Sequence, residues 1–193
     1  MKTLEINWKL NSYCEYGCEY CHGKWSKGNL DKTLDQYLDV VEKLQTTRYP
    51  HGDKIKWILG GGEPLNFPNL NQLLQKIKEK NSYIRLDTSG GDSWFSVMEI
   101  IEYIDYLKLT HHSWQNTSVL DFIIDLCKEK DKKIRVVVPL LPGKILEGRA
   151  KLNEALGTSI VFSEKEAITA EKLSHYYGIN EEQNAHLAIL ARE

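Results

Sequence analysis

Three cysteines stand close together near the start of the chain, Cys14, Cys18 and Cys21, in the run Asn11-Ser12-Tyr13-Cys14-Glu15-Tyr16-Gly17-Cys18-Glu19-Tyr20-Cys21-His22-Gly23. Cysteine sulfur is the usual ligand of iron in iron–sulfur clusters. Three thiolates spaced C-x3-C-x2-C on one loop can hold three corners of a cuboidal [4Fe–4S] cluster. The fourth iron then has no protein ligand, so it can bind a small molecule and pass it an electron. That asymmetry points to chemistry and not merely to electron storage. Zinc is a competing occupant, but it asks for a fourth ligand in tetrahedral geometry. The remaining cysteine, Cys127, lies far along the chain, and His22 sits awkwardly beside Cys21. A disulfide framework fits poorly with a chain that shows no signal-peptide pattern and so reads as intracellular, where thiols stay reduced. Thiols that bind nothing are the last alternative.

With this run the chain resembles the radical S-adenosylmethionine (radical SAM) enzymes. Their signature is C-x3-C-x-aromatic-C in the loop after the first strand, and Tyr20 supplies the aromatic residue before Cys21. A second match, Ile58-Leu59-Gly60-Gly61-Gly62-Glu63-Pro64-Leu65, resembles the family's Gly-Gly-Glu-Pro motif at the end of the second strand. A third, Arg85-Leu86-Asp87-Thr88-Ser89-Gly90, is similar to its Thr-Asn-Gly, with Ser89 in place of Asn. The resemblance spans residues 4–140. It implies Cys14, Cys18 and Cys21 as cluster ligands, with a [4Fe–4S] cluster and S-adenosyl-L-methionine as cofactors. In such an enzyme SAM chelates the open iron through its amino and carboxylate groups. Reductive cleavage then yields methionine and a 5′-deoxyadenosyl radical, which takes hydrogen from an unactivated carbon. The implied electron donor is a flavodoxin- or ferredoxin-like protein.

The same resemblance gives expectations for other residues, each with a plainer alternative. Gly60, Gly61 and Gly62 lack side chains, so their backbone can come close to a ligand. Their carbonyls and the Glu63 carboxylate are expected to accept hydrogen bonds from the methionyl ammonium; a simple strand-to-helix turn is the alternative. Tyr20 and His22 would flank adenine, mainly through backbone. Ser89 would reach the cofactor's carboxylate or ribose, or else serve the turn before Gly90-Gly91. His111 and His112 follow the fourth strand, where alternation turns one toward the barrel interior and one toward a helix or solvent. A histidine inside can bond SAM or move a proton, so both are candidate catalytic residues. The alternative is a satisfied structural histidine. Arg135, unusual in an apolar strand, would bind a carboxylate if it faces inward, or sit in a buried ion pair. Trp25 and Trp114 would wall a substrate pocket or simply pack, and Cys127 reads as a core residue.

These residues need a scaffold, and the rest of the chain supplies one. Its 193 residues suffice for a substantial core, and 41% hydrophobic with 27% charged residues describes an ordinary globular protein. Lys+Arg 25 against Asp+Glu 27 gives a net charge of −2, which offers no field to recruit nucleic acid or an anionic membrane. No apolar run approaches the ~20 residues of a membrane helix, and a cytoplasmic location is expected. Strands and helices alternate, which argues for a parallel sheet wrapped by helices. Strands are expected at Leu4–Leu10, Lys54–Leu59, Tyr83–Asp87, Tyr106–Thr110, Ile134–Val138 and Ser159–Phe162. The first helix, capped by Asp31 or Thr33, runs to about Gln45 with Leu34, Leu38, Val41 and Leu44 on one face. Further helices are expected at Asn69–Lys80, Phe95–Tyr103, Ser118–Lys130 and Ile145–Leu156. Six strand–helix units make an α/β fold, a partial (β/α)6 open TIM-like barrel. Residues 1–163 form this core, and residues 164–193 a C-terminal extension of two helices, Thr169–Tyr177 and one starting near Asn180. In such sheets ligands bind beyond the carboxyl ends of the strands. The cysteine loop, Gly60–Pro64, Thr88–Gly91, Thr110–Trp114 and Pro139–Gly143 therefore gather at one rim.

The functional expectation is an oxidoreductase-type enzyme acting on a peptide, protein or small-metabolite substrate. Trp8-Lys9-Leu10-Asn11 resembles the opening of peptide-modifying relatives. An activase that installs a glycyl radical on a partner enzyme is an alternative, because Tyr20-Cys21-His22 looks like that group. A 7-carboxy-7-deazaguanine synthase-like base-modifying enzyme is another, although that motif continues with Asp-Thr where this chain has His22-Gly23. A non-enzymatic electron carrier is the different-class alternative, hard to reconcile with the glycine-rich loop. No cysteine follows Cys127, which argues against auxiliary clusters. The two C-terminal helices loosely suggest a DNA-binding outline, but few basic residues there support it.

Overall fold

The computed structural model describes residues 3–18, 21, 32–48, 54–91, 94–112 and 115–137. Five strands, β1 (Thr3–Asn11), β2 (Lys54–Gly61), β3 (Ser82–Thr88), β4 (Tyr106–Thr110) and β5 (Lys133–Val137), form one sheet in the order β1-β2-β3-β4-β5. Every pairing is parallel. The connections carry α1 (Leu34–Lys43), α2 (Leu70–Lys78), α3 (Trp94–Met98) and α4 (Thr117–Glu129). Strand order equal to chain order, with crossovers of one hand, puts all the helices on one face of the sheet. This is the wall of an open barrel, as expected from the alternating pattern. The expected sixth strand Ser159–Phe162, the helix Ile145–Leu156 and the extension 164–193 lie outside the described residues.

The core lies between the helices and one face of the sheet. From the strands it takes Ile55, Trp57 and Leu59, Ile84 and Leu86, Leu107 and Leu109, and Val136. The period-2 pattern turns the intervening residues to the other face. From α2 the core takes Leu70, Leu73, Leu74 and Ile77, the four expected from the helical spacing. Cys127 of α4 is fully buried there, as expected of a small apolar side chain, and burial pushes its thiol up to about 11.

Helix ends follow local chemistry. Thr33 caps α1 in a reciprocal capping box with Gln36, and Asn116 caps α4 through the Ser118 amide. The helix expected at Phe95–Tyr103 is not continuous. It divides into α3 and a 3₁₀ turn at Ile101–Tyr103. Side chains three apart eclipse in a 3₁₀ turn, so Ile101 and Ile104 both reach the core, while Phe95 and Met98 of α3 stay exposed.

An aromatic cluster fixes the end of β1, from which the cysteine loop departs. Trp8 stacks on Tyr37 of α1 at 5.1 Å and leans on Trp57 at 5.5 Å, and Phe67 meets Tyr37 edge-on at 4.8 Å. The Tyr37 hydroxyl donates to the Leu10 carbonyl, so α1 holds the last turn of backbone before Asn11. The hydrophobic pattern of α1 does not include Tyr37, yet Tyr37 and Val41 are its buried residues. Replacing Tyr37 by Phe is expected to lower stability by about 1 kcal/mol, one buried hydrogen bond. Tyr37→Ala is expected to cost about 3–5 kcal/mol through loss of the ring. Chemical denaturation of the two variants checks both values.

Candidate active site

The C-terminal ends of β1, β2, β3 and β4 converge on the cysteine loop. Cys14, Cys18 and Cys21 are half-buried thiols, and the Cys21 amide donates to the Cys18 carbonyl at 2.9 Å, closing a turn between two of them. Burial holds the Cys14 thiol above its ordinary range, opposed by a hydrogen bond from the Tyr16 backbone and helped by the nearby Glu63 and Glu15 charges. A metal that takes the place of the thiol proton removes that penalty. Among the described residues no three His, Cys, Asp or Glu side chains converge as they would on a single ion. A cuboidal cluster makes a different demand, because each thiolate takes its own iron. Three half-buried sulfurs on one loop fit that demand.

The glycine segment that ends β2 is what the loop rests on. The Gly62 amide donates to the Asn11 carbonyl at 2.9 Å, and the Glu63 amide to the Tyr13 carbonyl at 2.8 Å. The Asn11 side-chain amide returns a bond to the Glu63 carbonyl at 2.9 Å. A Cβ on Gly62 would lie 2.0 Å from the Tyr13 oxygen, and one on Gly61, whose φ is +129°, 2.5 Å from the Asn11 oxygen. The bare faces of Gly61 and Gly62 are therefore filled by the chain itself, a different use from the close approach to a ligand that the sequence suggests. At Gly60 a Cβ would meet Asp87 at an ordinary 3.7 Å.

Glu63 is 2% exposed, and its carboxylate points inward. One oxygen accepts from the Leu65 amide at 3.0 Å and from the Thr88 hydroxyl. The other accepts from the Ser89 amide at 2.9 Å and from the Ser89 hydroxyl. Four donors fill the roughly four lone-pair sites of a carboxylate. Beside the expectation that this carboxylate accepts from an ammonium, within the chain it ties β2 to β3, and the hydroxyl of Ser89 donates to it. The Asn11 Oδ1, buried and without a hydrogen-bond partner among the described residues, is an acceptor beside the same segment. An ammonium group such as that of SAM is the kind of donor it lacks.

The histidine pair divides as strand alternation demands. His111 shares the parity of Leu107 and Leu109 and lines a cavity under α4 with Ser89, Gln115, Val119 and Ile123. His112 turns to the cysteine loop, its ring 5.7 Å from that of Tyr16. Burial, with a smaller contribution from His111, lowers the His112 pKa to about 4, so its imidazole is neutral at pH 7. Gln115 binds these parts together. Its Oε1 accepts from the His112 amide at 2.8 Å, and its Nε2 donates to the Ser89 carbonyl at 3.1 Å, with the Tyr16 hydroxyl at 3.5 Å. Arg135 lies on the sheet face away from the helices, in register with Lys108. Tyr20, His22, Trp25 and Trp114 lie outside the described residues. Asn11, Thr88 and Gln115 carry much of this geometry without any sequence signal beyond being polar where a strand ends.

Comparison with known proteins follows the same outline. The family model described as the Radical SAM superfamily matches residues 8–144. An S-adenosylmethionine-dependent nucleotide dehydratase of Fibrobacter sp. (strain UWH6) is 29% identical over 95 residues, 47% of this chain and 28% of that protein. A Methanocaldococcus jannaschii protein, named as a candidate glycyl-radical enzyme activating enzyme, is 29% identical over 146 residues, 67% of this chain and 53% of that protein. The chain thus spans about half or less of the length of these relatives. Among solved structures, Streptococcus suis SuiB bound to S-adenosylmethionine aligns with a TM-score of 0.58 at 16% identity, over 99% of this chain and 48% of that one. BtrN in complex with AdoMet and 2-DOIA aligns with 0.54 at 19% identity, over 72% and 57%. At such identities the structural likeness concerns the fold.

The packing around the glycines leads to an expected outcome in iron content. After anaerobic reconstitution, Gly62→Ala is expected to hold well under half the iron of the parent chain, because its Cβ collides with the backbone of the cysteine loop. Gly60→Ala, with room for its methyl group, is expected to keep the parent's iron. Iron and sulfide assays on the two folded variants check the contrast, and equal iron in both would show that the loop does not depend on this contact.

Proposed function

Because this chain belongs to the radical SAM superfamily, we propose that it is an enzyme whose three-cysteine loop holds a [4Fe–4S] cluster beside a SAM site at the rim of the open barrel. The observation that supports this reading is the docking of Asn11 and Tyr13, the residues that lead into Cys14, onto Gly61, Gly62 and Glu63 at the end of β2. When bound there, cluster and SAM supply reductive cleavage to an organic radical that removes hydrogen from a substrate carbon. The residues of the chain bind and orient. Cys14, Cys18 and Cys21 would hold the cluster through their thiolates. Asn11 Oδ1 and the carbonyls near Gly60 accept from the ammonium of SAM. The Ser89 hydroxyl oxygen, its proton given to Glu63, keeps acceptor capacity toward a ribose. Tyr20 and His22 are assigned to adenine. Of the two histidines, His112 is the one beside the cysteine loop, where a neutral imidazole can hydrogen-bond but not donate a proton as an imidazolium would; His111 is assigned to the wall under α4.

An electron donor of flavodoxin or ferredoxin type and a cytoplasmic setting complete this reading. Among the described residues no helix is long and apolar enough to cross a membrane. The nucleotide dehydratase relatives favour a small-molecule substrate. The activating-enzyme relative, matched over more of the chain, supports the second reading, in which the target is a glycyl residue of a partner enzyme.

Reconstituted protein incubated with SAM and dithionite is expected to form 5′-deoxyadenosine, whereas an electron carrier would form none. Cys14→Ala, Cys18→Ala and Cys21→Ala are each expected to lose the cluster and this product, and Cys127→Ala to keep both. A cluster that survives the loss of Cys18 would sink the assignment.

The pH profile of the same assay tests His112. With its pKa near 4, His112 does not titrate between pH 6 and 8, so His112→Asn is expected to leave the shape of the profile unchanged. A step near the ordinary histidine value of about 6.5 that vanishes in this variant would show that the ring is charged in the working enzyme.

A further inference from the structure

The outer surface of α3 and α4 carries large apolar side chains that neither the core nor the cysteine site uses. Phe95 is 59% exposed, Met98 43% and Phe122 37%. Trp94 joins them into one patch, its ring stacked on Phe95 at 3.7 Å and tilted against Phe122 at 4.8 Å. Met98 lies one helical turn further along α3. Helix periodicity shows that packing does not ask for these residues. In α3 only Val97 is buried, and in α4 Leu120, Ile123, Ile124 and Cys127 take the inward side, which leaves Phe122 on the other. Single exposed apolar residues are ordinary, but a contiguous group of large ones marks a contact surface. Aromatic residues and methionine are also the types enriched at the centre of protein interfaces.

The charges around the patch select the partner. Glu99 follows Phe95 by one turn, its amide donating to the Phe95 carbonyl at 3.1 Å. Asp125 follows Phe122 by one turn of α4. Residues 94–103 and 116–126 contain no lysine or arginine. Further along, Lys128 stands 3.3 Å from Asp125 and Lys130 2.9 Å from Glu102, both at the surface. Over 94–103 and 116–130 five carboxylates thus face two lysines. Glu99 also lines a groove of about 300 Å³ between α3 and the start of α2, where Asn69, Asn71 and Ser96 add amide and hydroxyl oxygens. An ammonium or guanidinium group is the donor such a set of acceptors suits.

We propose that this patch docks a basic amphipathic segment of a partner protein, its apolar side on Trp94, Phe95, Met98 and Phe122 and its lysines or arginines on Glu99 and Asp125. Two copies of this chain meeting patch to patch would set the same carboxylates against each other, and an anionic lipid surface would meet the same repulsion. The patch lies on the helix side of the sheet, so a segment docked there leaves the opposite face uncovered. The proposal uses no residue of the cysteine site and stands apart from the reading of that site.

The probe is a synthetic amphipathic helix of leucine and lysine carrying a fluorophore, with a leucine–glutamate helix as its counterpart. Each is titrated into the reconstituted full chain and followed by fluorescence anisotropy. Saturable binding of the lysine helix alone is expected, weakening as salt rises. Phe95→Ser and Phe122→Ser are each expected to weaken it about tenfold, the scale of losing an aromatic anchor. Glu99→Gln combined with Asp125→Asn is expected to weaken it severalfold. Val40→Ser, which removes an exposed apolar side chain of α1, is expected to leave it unchanged. The melting midpoint of Phe95→Ser is expected to stay within about 4 °C of the parent's, as for a residue that packs on little else. Absent binding, equal binding of the two helices, or binding indifferent to both aromatic substitutions overturns the proposal. A dimer in sedimentation that dissociates in Phe95→Ser also overturns it, because the patch is then a contact between copies. So does a larger fall in the midpoint, because the chain then covers the patch itself.

Discussion

The carboxylate of Glu63 accepts from two amides and two hydroxyls inside the protein, while its own amide and carbonyl bind Tyr13 and Asn11. A carboxylate buried this deeply is tolerated only when its acceptor sites are met, so the donors must be where they are. Meeting that requirement brings together the end of β1, the end of β2 and the end of β3. The position of the cysteine loop, the orientation of Ser89 and the path of the chain after β2 all depend on it. Removing any one donor leaves an unmet polar atom in a dry site, which costs more than a single hydrogen bond contributes.

Gln115 does for the β4 side what Glu63 does for the β2 side. It is 8% exposed, and its amide reaches the strand end after β3, the strand end after β4 and the Tyr16 hydroxyl of the cysteine loop. The cysteine loop is therefore held from both directions, through backbone on Gly62 and Glu63 and through a side chain on Gln115.

The two faces of the sheet divide the work. The face under the helices is apolar and closely filled, with Trp57, Leu59, Ile84, Leu86 and Leu107 fully buried. The opposite face carries lysines, arginines and Asp87 in register. A parallel sheet with helices on both sides would be apolar on each. One polar face on parallel strands is therefore a face that the described helices do not cover.

Chemistry and fold class were legible in the chain from the outset. Cysteine spacing is local, and one loop carries the three thiols whatever surrounds it; the strand–helix alternation and the inward residues of α2 follow from periodicity, which is also local. The break after α3 was not legible, because it depends on how Ile101 and Ile104 meet the core. The roles of Gly61, Gly62 and Glu63 were legible only as a motif. Sequence marks glycine where bulk is forbidden, but which atoms forbid it depends on what packs there, and here it is the backbone of Asn11 and Tyr13. Likewise the His111-His112 pair announced that one ring faces the rim, and only the register of β4 with its neighbours decided that it is His112. The pairing of Lys108 with Arg135 is the clearest case. The two residues are far apart along the chain and meet only because parallel strands align them, and such alignment is a property of the assembled sheet.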